Sequence, residues 1–276
     1  MSYIPAVEKI EVPKPRNYYT TPSFETVLGV PIAYRRKGQG ETTVLLHGAG
    51  FTRMWIPFYE TMSKTLDFIA PEQPGFGETP MPDWFRSFDD LTILYDQLFT
   101  QLGLSKIHLI GFSMGGWAAA EIASFYPNRL KSLSLITPVG LRLPDNPGVD
   151  MFQLEPAEIM DRLFNDKDVM REWLPDPDDF DEGIQMYAEF SAAARLMWAP
   201  RYNLALERRL QRLDCPTLVI GAENDRLVPD QMADKYAEIL PNCSLTRIDG
   251  TGHEPLLERP IELASKLNEF IEDSAK

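Results

Sequence analysis

Histidine and cysteine are scarce in this chain. Three histidines and two cysteines occur among 276 residues, and all are widely spaced. No group with metal-ligand spacing is formed, so neither a metal nor an organic cofactor is expected. The thiols, Cys215 and Cys243, each sit just before an expected strand. A bridge between them stays open if those strands are neighbours, while a reducing compartment favours two free thiols. Long hydrophobic runs are also missing. No stretch reaches the roughly 20 apolar residues of a membrane helix, and Met1 to Arg16 lacks the apolar core of a signal peptide. The expectation is a cytoplasmic protein. Positive charge is in deficit: 27 Lys and Arg stand against 41 Asp and Glu, a net charge of −14. A chain this acidic repels phosphate backbones and anionic lipid surfaces. Nucleic acid and membranes are therefore not expected partners, and a small-molecule substrate is. Oligomeric state is left open.

The remaining composition, 44% apolar and 25% charged, is that of an ordinary globular protein. No repeat or low-complexity segment is visible. Tyr18 to Val27 and Val30 to Tyr34 read as β structure closed by the turn Lys37-Gly38-Gln39-Gly40. Short apolar runs follow at Thr43–Leu46, Leu66–Ala70, Ile107–Phe112, Leu133–Ile136, Thr217–Ile220 and Ser244–Ile248. Runs this short, bounded by Gly and Pro, suit strands buried on both faces of a parallel sheet. Helical patterns lie between them: Ser87–Gln101, Met114–Tyr126, Gln231–Leu240 and Ile261–Ile271. The first opens with Ser87 and Asp90, a capping-box signal, and then repeats apolar residues at Leu91, Leu94, Tyr95, Leu98 and Leu102. Strand alternating with helix implies parallel pairing through right-handed crossovers.

Residues 140–213 interrupt the alternation. Helix-like pieces at Pro156–Phe164 and Ile184–Trp198 occur there, with five of the chain's 11 methionines, Trp173 and Trp198. An acidic, turn-rich stretch runs from Asp176 to Glu182. The whole reads as a helical cap inserted into a core made of residues 1–139 and 214–276. A separate second domain is the alternative, but the sheet pattern resumes afterwards.

The strongest chemical signal is Gly111-Phe112-Ser113-Met114-Gly115, between an apolar strand and a helix. Glycines flanking Ser113 permit a sharp strand-to-helix turn that presents the hydroxyl at the sheet edge. A bare GxSxG arises often by chance; the strand–turn–helix context makes chance a poor explanation. The N–H of Met114, at a helix start, is free to bind an oxyanion. Serine needs a base, and three histidines allow elimination. His108 lies inside the strand leading to Ser113. His47 ends an earlier strand and reads as a structural residue bonded to backbone. His253 is in the turn-rich loop Asp249 to Pro255 after the last strand, from which it can reach the sheet edge. A lone loop histidine is ordinarily just solvated, but the chain order Ser…Asp…His matches a serine triad. The acid candidates follow the strand Thr217–Ile220: Asp225 first, Glu223 as closest rival, then Asp230. The second oxyanion donor is sought in His47-Gly48-Ala49-Gly50-Phe51, with Ala49 first and Gly50 second. Trp55, Val139, Met186, Trp198 and Val228 are the candidates to line an apolar substrate pocket, although Met and Trp at such positions more often simply fill a core.

Together, His47-Gly48, Glu72 to Thr79, Gly111 to Gly116, Gly221 to Pro229 and Gly252-His253 resemble the α/β-hydrolase superfamily, most closely its small lidded bacterial members. The resemblance spans residues 24–273. It implies a mostly parallel eight-stranded sheet with helices on both faces, an inserted helical cap, and a serine hydrolase. The family usually has Asp where this chain has Glu72 and Ser where it has Thr79, in a turn taken to lie away from the chemistry. Relatives that open epoxides or remove halide carry Asp at the nucleophile position, so Ser113 argues against both activities. The leading expectation is a carboxylesterase acting through an acyl-enzyme on a small to medium apolar substrate. A second is hydrolysis of a carbon–carbon bond in a diketone-type acid, for which Arg53 or Arg195 would hold the carboxylate. A third is a fold-retaining ligand-binding protein with slow turnover.

Overall fold

In the computed structural model, residues 18–174, 176 and 178–275 are described; Met1 to Arg16 and Pro177 lie outside them. Eight strands form one sheet: β1 (Ser23–Val27), β2 (Val30–Lys37), β3 (Glu41–Leu46), β4 (Leu66–Pro71), β5 (Ile107–Phe112), β6 (Leu130–Ile136), β7 (Thr217–Ala222) and β8 (Cys243–Ile248). Their spatial order is β1-β2-β4-β3-β5-β6-β7-β8. Only β1–β2 and β2–β4 pair antiparallel; the remaining pairs are parallel. This is the α/β-hydrolase fold.

Apolar alternation divides the core into two layers. In β3, Val44 and Leu46 face one layer and Leu45 the other; in β5, Ile107 and Leu109 oppose Ile110 and Phe112. The first layer packs on α2 (Phe88–Gln101), α3 (Met114–Phe125) and α8 (Gln231–Ile239). The second packs on α1 (Pro57–Met62), α9 (Pro255–Glu258) and α10 (Pro260–Ser274). Every residue of β5 is buried, which is why this strand reads as a continuous apolar run rather than an alternating one. The capping box at Ser87 and Asp90 closes the start of α2 as expected.

Between β6 and β7 lie α4 (Pro156–Leu163), α5 (Lys167–Glu172), α6 (Phe180–Met197) and α7 (Leu204–Leu210). This insertion leaves and rejoins the sheet side by side, since Gly140 bridges Tyr202 and accepts the Asn203 N–H at 2.9 Å. The expected strand Tyr18–Val27 is shorter than its sequence pattern. Residues 18–20 pair instead with Arg53–Trp55, and Arg35 grips the Thr20 carbonyl at 2.7 Å. The short helices α1, α5, α7 and α9 were not legible as helices, because four to seven residues carry too little periodicity. Cys215 and Cys243 are free thiols, and burial pushes both up to about 11. Among the described residues no helix is long and apolar enough to cross a membrane.

Candidate active site

Ser113 stands between β5 and α3 with φ 53° and ψ −115°, a region that L-residues rarely occupy. The turn is tight enough to require glycine on both sides. A Cβ on Gly111 would lie 2.6 Å from Ala119 Cβ and 2.7 Å from Gly116 Cα; one on Gly115 would run into the carbonyls of Leu46 and His47. The hydroxyl is thereby lifted clear of the sheet and toward the loop that follows β8.

His253 lies in that loop and is 1% exposed. Its Nε2 is 2.8 Å from Ser113 Oγ and its Nδ1 is 2.7 Å from Asp225 Oδ2. The other Asp225 oxygen accepts the N–H groups of Leu227 and Val228 at 2.9 and 2.8 Å. The Leu-Val pair thus curls around the carboxylate and fixes its aim. The rival Glu223 points elsewhere and accepts the Gly250 N–H at 2.9 Å on the surface. Asp230 is engaged by Arg247. Three residues distant in the chain therefore converge at one sheet edge, with a hydrogen-bond chain of the kind a serine nucleophile requires.

Met114 is the first residue of α3, so its N–H has no acceptor within the helix. Ala49 and Gly50 line the same cavity as Ser113. Their loop is held by His47, whose Nδ1–H donates to the Gly48 carbonyl at 2.6 Å. Its Nε2 accepts the Gln73 N–H at 2.9 Å. Burial pushes this imidazole down to about 4, and an acceptor role for Nε2 requires the neutral ring. His108 bonds Ser132 Oγ at 2.8 Å inside the sheet, away from the reaction edge.

The turn around Glu72 is not remote from the site. Glu72 is 3% exposed, pairs with Arg35 at 2.6 Å, and accepts the N–H of Arg53 at 3.0 Å and of Glu78 at 2.6 Å. Arg53 belongs to the loop that follows Ala49. The carboxylate thus pins the far end of the candidate oxyanion loop, and this corrects the expectation of a turn away from the chemistry. Two other acids escaped sequence reasoning. Glu189 on α6 receives the Thr52 hydroxyl, the Gly77 N–H and the Gln185 amide, joining the insertion to the same loop. Glu258 accepts N–H groups from Gly252 at 2.6 Å, Asn165 at 2.8 Å and Asp166 at 2.6 Å, so it clamps the His253 loop to the start of α5. A Glu within the otherwise apolar face Ala192, Ala193, Leu196 was the available signal for Glu189.

A cavity of about 1340 Å³ opens over Ser113 and His253. Val139, Met186 and Val228 line it as expected. Trp55 and Trp198 do not, which corrects both assignments. The Trp55 ring packs edge-on against Tyr59 and Phe68 and donates Nε1–H to Glu60 at 2.9 Å. Trp198 is 63% exposed and stacks on Phe152. Of the two arginines considered for a substrate carboxylate, Arg53 lines the cavity but is engaged by Glu78, and Arg195 is exposed and outside it. Arg201 lines the cavity instead. It donates to the Val149 carbonyl at 3.0 Å and has no carboxylate partner among the described residues. Among those residues no group of His, Cys, Asp or Glu is arranged to hold a metal ion.

A family model described as the alpha/beta hydrolase family matches residues 43–266. The chain is 25% identical over 270 residues to the monoacylglycerol lipase ABHD6 of Mus musculus, covering 86% of this chain and 77% of that protein. It is 26% identical over 260 residues to a pimeloyl-[acyl-carrier protein] methyl ester esterase of Legionella pneumophila, covering 86% and 97%. Among solved structures, a meta-cleavage product hydrolase from Pseudomonas fluorescens superposes with a TM-score of 0.77 at 20% identity, covering 91% of this chain and 98% of that one. That likeness bears on the fold alone.

Proposed function

The chain belongs to the alpha/beta hydrolase family, and from that premise we propose that it cleaves a carboxylic ester of a small to medium apolar substrate through an acyl-enzyme on Ser113. The observation that carries this reading is the Ser113–His253–Asp225 hydrogen-bond chain at the floor of a cavity walled mainly by apolar side chains. His253 Nε2 takes the Ser113 proton as the oxygen attacks the ester carbonyl. Asp225 holds the Nδ1–H tautomer and stabilises the imidazolium that forms. The N–H groups of Met114 and Ala49 receive the developing oxyanion, a contribution of about 3 kcal/mol per donor where one has been removed. The imidazolium returns its proton to the departing alcohol, and water activated by the same base clears the acyl-enzyme. The helices of residues 140–213 act as a cap over this cavity. Two of the relatives are named as a lipase and a methyl ester esterase, which agrees with ester chemistry.

Arg201 favours a second reading. A guanidinium in the cavity wall with no carboxylate partner among the described residues suits a substrate carboxylate, as hydrolysis of a carbon–carbon bond in a dienoic diketone acid would require. The two readings separate in one experiment: kcat/KM across p-nitrophenyl esters from acetate to dodecanoate, alongside a dienoic diketone acid. The ester reading expects saturating multiple turnover with an optimum at intermediate acyl length. Turnover confined to the diketone acid would overturn it in favour of the second.

A further inference from the structure

Glu254 follows His253 directly and lines the same cavity. Only 5% of the residue is exposed, and a carboxyl buried this deeply ordinarily has a partner. Its neighbour Glu258 has three backbone N–H donors. The Glu254 carboxyl has neither a hydrogen bond nor an ion pair among the described residues. Three buried side-chain atoms among those residues are sealed off without a hydrogen-bond partner: Gln73 Oε1, Tyr95 Oη and His108 Nε2. The Glu254 oxygens are not among them, so they are not sealed off, and the residue lines the cavity that also holds Ser113 and His253. The main chain fixes the residue there, since its N–H donates to the Leu163 carbonyl at 3.2 Å. Gly252, two positions earlier, is pressed against Leu163 and Asn165.

Burial, followed by the nearby charges of Glu258 and Asp225, holds this carboxyl well above the usual carboxylate range. A carboxyl accepts hydrogen bonds in either protonation state and, when protonated, also donates one. A substrate hydroxyl, which also donates and accepts, matches both. We propose that Glu254 is a substrate-positioning residue whose carboxyl hydrogen-bonds a hydroxyl carried by the ester within a few bonds of the scissile carbonyl. This rests on the ester reading above, and the substrate class it specifies is a hydroxy ester with an otherwise apolar chain.

Two matched pairs of esters test it: 2-hydroxyethyl octanoate against propyl octanoate, and ethyl 3-hydroxyoctanoate against ethyl octanoate. Parent protein, Glu254→Gln and Glu254→Leu are compared. In at least one pair the parent favours the hydroxy ester in kcat/KM by about tenfold, the worth of one buried hydrogen bond. E254L erases that preference and E254Q, which keeps a donor and an acceptor, retains it. E254L melts no lower than the parent, because no side-chain partner among the described residues is lost; a purely structural role predicts a lower melting temperature. The proposal is overturned if the parent shows no preference in either pair, if E254L keeps the preference, or if E254L slows all four esters equally. If the parent hydrolyses none of the four, the ester reading fails. Calorimetric binding of 2-(octyloxy)ethanol against 1-propoxyoctane then decides the positioning role. Tighter binding of the alcohol by the parent but not by E254L supports it, and equal binding by both proteins overturns it.

Discussion

Replacing Ser113 by Gly and by Ala separates the geometry of the turn from its chemistry. Both variants lose the hydroxyl and its 2.8 Å contact with His253, so neither should turn over an ester. Only glycine releases the backbone. Ser113 sits at φ 53° and ψ −115°, where a Cβ costs about 1–3 kcal/mol; alanine keeps that Cβ and glycine removes it. Against this, glycine gains about 0.4–1 kcal/mol of unfolded-chain entropy relative to alanine. Taking strain near the middle of its range leaves S113G about 1.3 kcal/mol more stable than S113A. At roughly 2–4 °C per kcal/mol for a chain of this size, S113G should melt about 4 °C above S113A by calorimetry at pH 7. If S113G melts at or below S113A, the turn is not strained and the account of how the nucleophile is presented is wrong.

Asp225→Asn should cut kcat by about 10⁴, because the amide stabilises the wrong imidazole tautomer, while Glu223→Gln should change it less than threefold; the reverse ranking would reassign the acid. Gly115→Ala drives a Cβ into the carbonyls of Leu46 and His47, so β3 or α3 must shift. The melting temperature should drop by several degrees and kcat by about 100-fold, since a displacement near 1 Å is that costly; a folded variant with parental kcat contradicts the packing described. His47, at about 4 in the fold against roughly 6.5 unfolded, takes up its proton first in the unfolded chain. Stability should therefore fall as pH drops from 6.5 to 4, by about 3 kcal/mol in all. Glu72, raised to about 7 by burial and then by Glu78, works in the opposite direction between pH 7 and 4.5. It is common to parent and His47→Gln, so the pH dependence of their difference in unfolding free energy isolates His47, and a flat difference refutes it.

The order of strands and helices, the turn that presents Ser113 and the histidine that meets it were legible in the primary structure. Each rests on local information. A buried parallel strand must be short and apolar, a sharp strand-to-helix turn admits only small flanking residues, and three histidines leave few choices of base. Asp225 was ranked ahead of Glu223 on chain position, and in the fold the two are separated by the pair of N–H groups from Leu227 and Val228 that aim the Asp225 carboxylate, a matter of backbone direction. Trp55 was misplaced because proximity in sequence to Ala49 says nothing about the face to which its ring turns, and Trp198 because aromatic content does not reveal exposure. The acids Glu72, Glu189, Glu254 and Glu258 look alike in a chain rich in carboxylates. Only burial, and the donors that folding brings or fails to bring to each, makes three of them structural pins and leaves the fourth open to the cavity. Local sequence thus determined the scaffold and the candidate trio. The tertiary structure decided the cavity and its polar contacts, since these depend on desolvation and on distances between residues far apart in the chain.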